Sequence, residues 1–275
     1  MNTDALDSIP DFLQPNVTGA LVYDARKPTP VEVIVPFFNV TDDITLVPWD
    51  RQPALQNPTK KITLNLDFFP AFSQNRAGFN GIPYLSPLVP TLYTVLSAPV
   101  PLLSSPSIYG NYTNAFVLDY KDVVEVTINN ADDGQHPLHI HGHQVQLISR
   151  DPAPAVRKRA VRRRAGIQSS LSTAGKAGPA PIRRDTWTIA GGGTTVIRFV
   201  ADNPGVWHFH CHMEWHLAAG LAATFIEAPK LVQAQQRQID PAMQEICRSQ
   251  NIATSGNAAG NSINWMDLTG QRSGP

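Results

Sequence analysis

Cysteine is scarce in this 275-residue chain: Cys211 and Cys247 are its only two, which excludes a disulfide-stapled framework. No sign of charge is in excess, with Lys plus Arg and Asp plus Glu both at 22, so no global field points to nucleic acid or a membrane surface. No apolar run approaches the roughly 18 residues a spanning helix needs. The opening Met1-Asn2-Thr3-Asp4-Ala5-Leu6-Asp7 lacks the basic start and apolar core of a signal peptide. Charged residues make up only 16% against 42% hydrophobic, the balance of a globular chain and not of a disordered one. What is plentiful is turn formers, 24 prolines and 18 glycines, which suits an all-β fold.

Strand signals recur at short intervals. Ile62-Thr63-Leu64-Asn65-Leu66-Asp67-Phe68 alternates apolar and polar, the mark of a strand with one wet face. Val31–Phe38 reads as a buried strand, and further strands are expected at Thr91–Leu96, Ala115–Leu118, Val123–Ile128, Leu138–Ile148, Asp185–Ile189, Thr194–Val200, Val206–Cys211 and Leu221–Glu227. Turn signals such as Asp132-Asp133-Gly134, Gly191-Gly192-Gly193 and Asn203-Pro204-Gly205 separate them. The pattern predicts a β-sandwich or barrel with Greek-key connections. Lys230–Arg248 has helical spacing and is expected to pack as a helix on the sandwich; 251–275 reads as extended or loosely ordered. The basic run at 157–164 reads as part of a solvated loop. Three sequons, at Asn16, Asn39 and Asn111, favour a secreted parent, and with no signal segment before them they suggest a missing N-terminal part.

All eight histidines fall in two windows, His136-Pro137-Leu138-His139-Ile140-His141-Gly142-His143 and His208-Phe209-His210-Cys211-His212-Met213-Glu214-Trp215-His216. One thiolate among many imidazoles asks for a transition metal and favours copper. Side chains two apart on a strand share a face. His210 and His212 therefore face one way and Cys211 the other; His139 and His141 share a face that His136 does not. Parity alone yields two sites: Cys211, His136 and His216 in one, and His139, His141, His210 and His212 in the other. The first has the His₂Cys composition of an electron-transfer copper site, with Leu221 at the axial position, unable to coordinate. The second is imidazole-only, suited to coppers that reduce oxygen. A structural zinc site would want closed tetrahedral spacing instead. His143 and His208 are expected to act behind the ligands or in packing.

The two windows resemble the C-terminal copper motifs of multicopper oxidases. The resemblance extends through Asn80-Gly81-Ile82-Pro83-Tyr84, Arg183-Arg184-Asp185-Thr186, Ala201-Asp202-Asn203-Pro204-Gly205-Val206-Trp207 and Ala253-Thr254-Ser255-Gly256-Asn257-Ala258-Ala259, and is strongest to fungal iron-transport ferroxidases. It implies a cupredoxin-like Greek-key β-sandwich with a C-terminal helical extension: residues 1–45 a remnant of the second cupredoxin domain, 46–230 the C-terminal cupredoxin domain, and 231–275 a helix and tail. It implies type 1 copper on His136, Cys211 and His216, type 2 on His139, and type 3 on His141, His210 and His212. Glu214 matches an acid that assists proton delivery, and Asp132 and Tyr84 match positions linked to Fe(II). For Asp132 a turn acid is the bland alternative, and for Tyr84 simple packing.

The implied parent is secreted or at the cell surface, oxidises Fe(II) while reducing O₂ to water in iron uptake, and works beside an iron permease. A laccase-type oxidase of phenols and a non-catalytic copper-binding fragment are the rival expectations. Cluster histidines from His-x-His motifs of a first domain are absent here, so only the first site is complete in this chain. Cys247 is odd, and the resemblance implies a partner in domain one.

Overall fold

The computed structural model describes residues 19–29, 41–151, 175–235 and 239–274. The expected strand at 31–38, the sequons at Asn16 and Asn39 and the basic run at 157–164 lie outside them. The chain divides into two compact units, Met1–Val40 and Thr41–Pro275. In the first, the described residues hold one turn, in which Arg26 pairs with Asp24 at 3.0 Å.

The second unit is a two-sheet sandwich. Its strands are β1 (Lys60–Ala71), β2 (Gln74–Phe79), β3 (Ala115–Leu118), β4 (Val123–Asn130), β5 (His136–Ile140), β6 (Val145–Asp151), β7 (Gly175–Lys176), β8 (Arg183–Arg184), β9 (Thr186–Ile189), β10 (Thr194–Val200), β11 (Gly205–Cys211) and β12 (Ala222–Glu227). One sheet runs β2-β1-β4-β10-β6-β7, with β8 also on β6; the other runs β3-β12-β11-β5-β9. Alternation explains the layers. In β4 Val124, Val126, Ile128 and Asn130 are buried while the residues between them are less so, and β10 repeats the pattern with Thr195, Ile197 and Phe199. These inward rows meet Leu138, Ile140, Phe209 and Phe225 from the facing sheet in one apolar core. Trp187, Phe209 and Phe225 lie at its centre, each at most 1% exposed. Losing a ring of that size from a packed core costs about 3–5 kcal/mol.

Among the described residues the unit also holds four α-helices, α1 (Thr91–Ser97), α2 (Glu214–Ala219), α3 (Pro229–Ala234) and α4 (Pro241–Ser249), besides short 3-10 turns. Three sequence expectations are corrected in these elements and the turns between them. Thr91–Leu96 is helical, because Thr91, Thr94 and Val95 bury one helical face behind Pro90; its β-branched content mimics a strand. The long helix expected over 230–248 is two pieces, with Pro241 opening the second under an Asp240 cap. The second piece leaves Met243 and Ile246 62% and 56% exposed, so it does not bury its apolar stripe among the described residues. The strand expected at Leu138–Ile148 is broken into β5 and β6 at Gly142, whose φ of +72° only a turn requires.

The tail is not loose. Trp265 joins a second core cluster with Val95, Ile108, Tyr109 and Val232. Asn257, fully buried, donates to Trp265 O at 3.1 Å and Asp267 O at 2.7 Å and accepts from the Ala259 and Asn261 amides at 3.0 Å. Side-chain amides here replace the ladder that a Gly-rich segment cannot form.

Candidate metal centre

Pairing of β5 with β11 builds the centre. Antiparallel register sets His139 opposite His210, Leu138 opposite Cys211 and Ile140 opposite Phe209. Directly opposed side chains on one face come within about 5 Å at Cβ, so the register alone brings imidazoles of two distant windows together. Cys211 and His136 fall on the buried face, as parity requires.

His216 reaches that face by a route parity could not give. The chain turns after β11 into α2, where the His216 N–H donates to Met213 O at 3.0 Å, and Gly220 ends the helix in a left-handed conformation at φ +112°. His136 Nδ1, His216 Nδ1 and Cys211 Sγ then form a triangle with edges of 3.2, 3.6 and 3.7 Å. Three ligands about 2.0–2.3 Å from one ion make such a triangle. The Leu221 side chain is fully buried beside it, and its carbonyl accepts from Cys211 N–H at 3.1 Å. Phe68 closes the remaining side, its ring 5.9 Å from that of His136 and 5.1 Å from that of His216.

Burial holds His136 and His216 below the ordinary imidazole range, His136 despite the Asp132 carboxylate beside it. Burial also pushes the Cys211 thiol up to about 11. Neutral imidazoles are ready ligands, whereas the thiol must release its proton to solvent as a cation binds. Asp132 fixes the tautomer: its Oδ2 accepts from His136 Nε2–H at 3.1 Å, leaving Nδ1 free to face Cys211. Asp132 is itself held by Gly134 N–H at 2.9 Å, and its carbonyl accepts from Gly192 N–H at 2.8 Å. Gly191 is required there, since a Cβ would lie 1.9 Å from Asp133 O.

The second group opens to solvent. His139, His141 and His210 each offer one nitrogen within 4.8 Å of the others, and His141 Nε2 stands 3.1 Å from His210 Nε2. His139 Nδ1–H donates to Asp185 O at 2.9 Å, and His210 Nδ1–H to Cys211 O at 2.9 Å, which leaves Nε2 of both as the ligand atom. Burial first, then the neighbouring imidazoles, lowers the pKa of His141, as burial does for His210. His212 stands outside the close set, stacked on His210 at 5.7 Å. The group borders a recess of about 470 Å³ lined in part by Gly142, His143, Asp185 and Trp207.

The remaining sequence candidates are dispersed. Glu214 opens α2, exposed, with its charge acting on His210. Tyr84 packs its ring on His208 at 5.1 Å, while its N–H donates to Gly220 O at 2.8 Å behind α2. Asn111 is exposed. Cys247 is a free thiol on α4. Burial, with His210 and His141 adding to it, takes His208 down to about 4, and its Nε2 has no partner among the described residues. Sequence reasoning missed Phe68, for which no motif speaks. It also missed Glu227, a lone acid at the end of β12 that no local pattern marks.

Fold and site both have counterparts among known proteins. A family model described as multicopper oxidase matches residues 84–231. The iron transport multicopper oxidase FET3 of Gibberella zeae is 41% identical over 98% of the chain and 42% of its own length. The FET3 of Saccharomyces cerevisiae is 40% identical over 97% of the chain, again 42% of the relative. The chain thus spans under half the length of these curated relatives. Among solved structures, Fet3p, a multicopper oxidase that functions in iron import, matches with TM-score 0.80 and 38% identity, covering 98% of this chain and half of that one. A laccase from Botrytis aclada shares the fold at TM-score 0.54 and 18% identity, over 83% of this chain and 40% of its own.

Proposed function

Because the chain belongs to the multicopper oxidase family, we propose that it is the copper-bearing C-terminal part of a ferroxidase, which oxidises Fe(II) and passes the electrons to O₂. The observation that carries this reading is the peptide link between the two groups: Cys211 closes one and its neighbour His210 belongs to the other. Copper bound at such sites supplies one-electron redox chemistry with a potential tuned by the axial neighbour.

In this reading His136, Cys211 and His216 hold the type 1 copper. Leu221 sits at its axial position and, with Phe68, keeps water out. His139 is a type 2 ligand, and His141, His210 and His212 are type 3 ligands. Glu214, exposed at the start of α2, exchanges protons with solvent beside that cluster. We place residues 1–45 as the remnant of a preceding cupredoxin domain, 46–230 as the copper domain and 231–275 as its extension. The remaining cluster ligands come from outside these 275 residues, since the other histidines, His143 and His208, have separate partners or surroundings. The parent acts at the cell surface or outside it, with glycans at its sequons, in iron uptake and beside a permease.

Iron in preference to phenols is supported by two things. Relatives about 40% identical are named iron transport oxidases, whereas the laccase likeness reaches only 18% and speaks for the fold alone. Asp132 also bonds His136 Nε2 while its side chain stays 32% exposed, which puts an anionic oxygen between a copper ligand and solvent. A hard carboxylate at that point suits a divalent cation, whereas to a phenol it offers a single hydrogen-bond acceptor for the hydroxyl. Tyr84 we assign to the same substrate side through its hold on Gly220.

Bleaching of the blue absorption by stoichiometric reductant tests this without the whole enzyme. The copper-loaded chain is expected to bleach faster with Fe(II) than with a bulky phenol. Asp132→Ala should slow the Fe(II) reaction by about tenfold or more and the phenol reaction by less, since the loosened His136 affects both reductants while the lost carboxylate affects Fe(II) alone. Equal slowing with both reductants, or a faster phenol reaction in the unmodified chain, sinks the ferroxidase reading.

A further inference from the structure

A fully buried carboxylate lies behind the second metal group and has no place in the chemistry above. Glu227, at the end of β12, is 0% exposed, and its Oε2 accepts from His143 Nε2–H at 2.7 Å. Its Oε1 accepts from the backbone N–H of Asn203. Asn203 in turn donates from Nδ2 to Gly142 O at 2.9 Å and accepts from Trp207 Nε1–H at 2.7 Å. Trp207 lies flat under the turn, so close that a Cβ on Gly142 would meet its ring at 2.5 Å. The His143 ring is packed between Phe199, at 4.8 Å, and Trp207, at 6.2 Å.

All of these contacts converge on one short turn, His141 to Gln144. That turn begins with a cluster histidine whose backbone N–H donates to His208 O at 2.9 Å. A buried polar pair is a poor device for stability, since an apolar pair of equal volume does as well or better. It is a good device for geometry, because a buried carboxylate with two donors tolerates only one arrangement of them. Here the donors come from the two sides of the turn's cradle: His143 in the turn itself and Asn203 in the loop before β11.

We infer that Glu227, acting through His143 and Asn203, is the positioning residue that fixes His141 for metal binding at the second group. It touches neither substrate nor metal ligand. Its effect is to clamp the turn so that His141 Nε2 stays 3.1 Å from His210 Nε2. The inference rests on the copper reading only for the identity of the metal; the clamp exists in the metal-free chain.

The test uses the full 275-residue chain and its variants Glu227→Gln and Asn203→Ala. The second variant releases the Gly142 carbonyl without disturbing the buried carboxylate, so it decides the matter should Glu227→Gln fail to fold. In the metal-free proteins, amide hydrogen exchange at His141, whose N–H is bonded to His208 O, is expected to accelerate at least tenfold, while Cys211 and Ala223 keep their protection. With Cu(II) and a competing chelator, affinity at the second group should fall by about tenfold, the scale of lost support behind a ligand, with the blue absorption of the first group unchanged. Unchanged exchange at His141 overturns the inference, and so does an increase spread evenly over β11 and β12, which would mark a general loss of stability. Should the unmodified chain take no copper at the second group, the copper reading of that group fails, and the exchange comparison still decides the clamp.

Discussion

Changing Cys211 to serine is expected to remove the blue absorption of the copper-loaded chain entirely. The colour requires a thiolate bound to copper, and Cys211 is the sulfur in the triangle with His136 and His216. The other cysteine, Cys247, belongs to α4. The fold should survive the change. Cys211 packs with Leu138, Phe209 and Leu221 as part of the core, so a serine hydroxyl pays for burial there. An imperfectly bonded buried hydroxyl costs about 1–3 kcal/mol, a loss a sandwich of this size tolerates. Two imidazole nitrogens facing the position offer the hydroxyl a partner. Visible spectroscopy together with urea unfolding separates the outcomes: a folded variant that remains blue would contradict the assignment of Cys211.

The second large effect concerns oxygen. The copper-loaded 275-residue chain is expected to consume no O₂ with Fe(II) in excess, even where the blue absorption of its first group is bleached by that Fe(II). The chain holds eight histidines. Two close the triangle with Cys211, three form the close second group, and His212 stands beside it. His143 is held by Glu227, and His208 is wedged between Tyr84 and His210. In the proposed reading the oxygen-reducing cluster takes further imidazoles from outside these residues, and the open recess beside His139 and His141 is where they would arrive. An oxygen electrode with the purified chain gives the answer. Sustained uptake above the rate of free copper would show that the chain is catalytically sufficient, against the proposal.

Much of the site was legible in the sequence alone, and for a physical reason. Strand side chains repeat with a period of two, so His139, His141, His210 and His212 had to face away from His136 and Cys211 once both windows were strands. Register was not legible. Nothing local says that His210 lies opposite His139, because the pairing is set by the cores of both sheets and by turns far away. His216 was grouped with Cys211 by parity, yet a separation of five would set it on the opposite face of a strand; it joins Cys211 because the chain turns into α2, a helix of six residues with no side-chain cap to announce it. The misreadings have similar origins. Thr91–Leu96 has strand-like residues whose burial follows a helical face, and the tail at 251–274 looks loose until Asn257 is seen to bond four backbone groups. Glu227 gave no signal by itself because a single acid at a strand end is ordinarily solvated; only burial on both sides turns it into a clamp.

The central claim is that one strand carries two adjoining copper sites, the first complete in this chain. Titrating Cu(II) into the purified protein while recording visible absorption tests it most directly. An intense blue band is expected to grow in step with the first equivalent and then stop, with further copper binding adding no blue. Copper that binds without blue absorption at any ratio would contradict the claim.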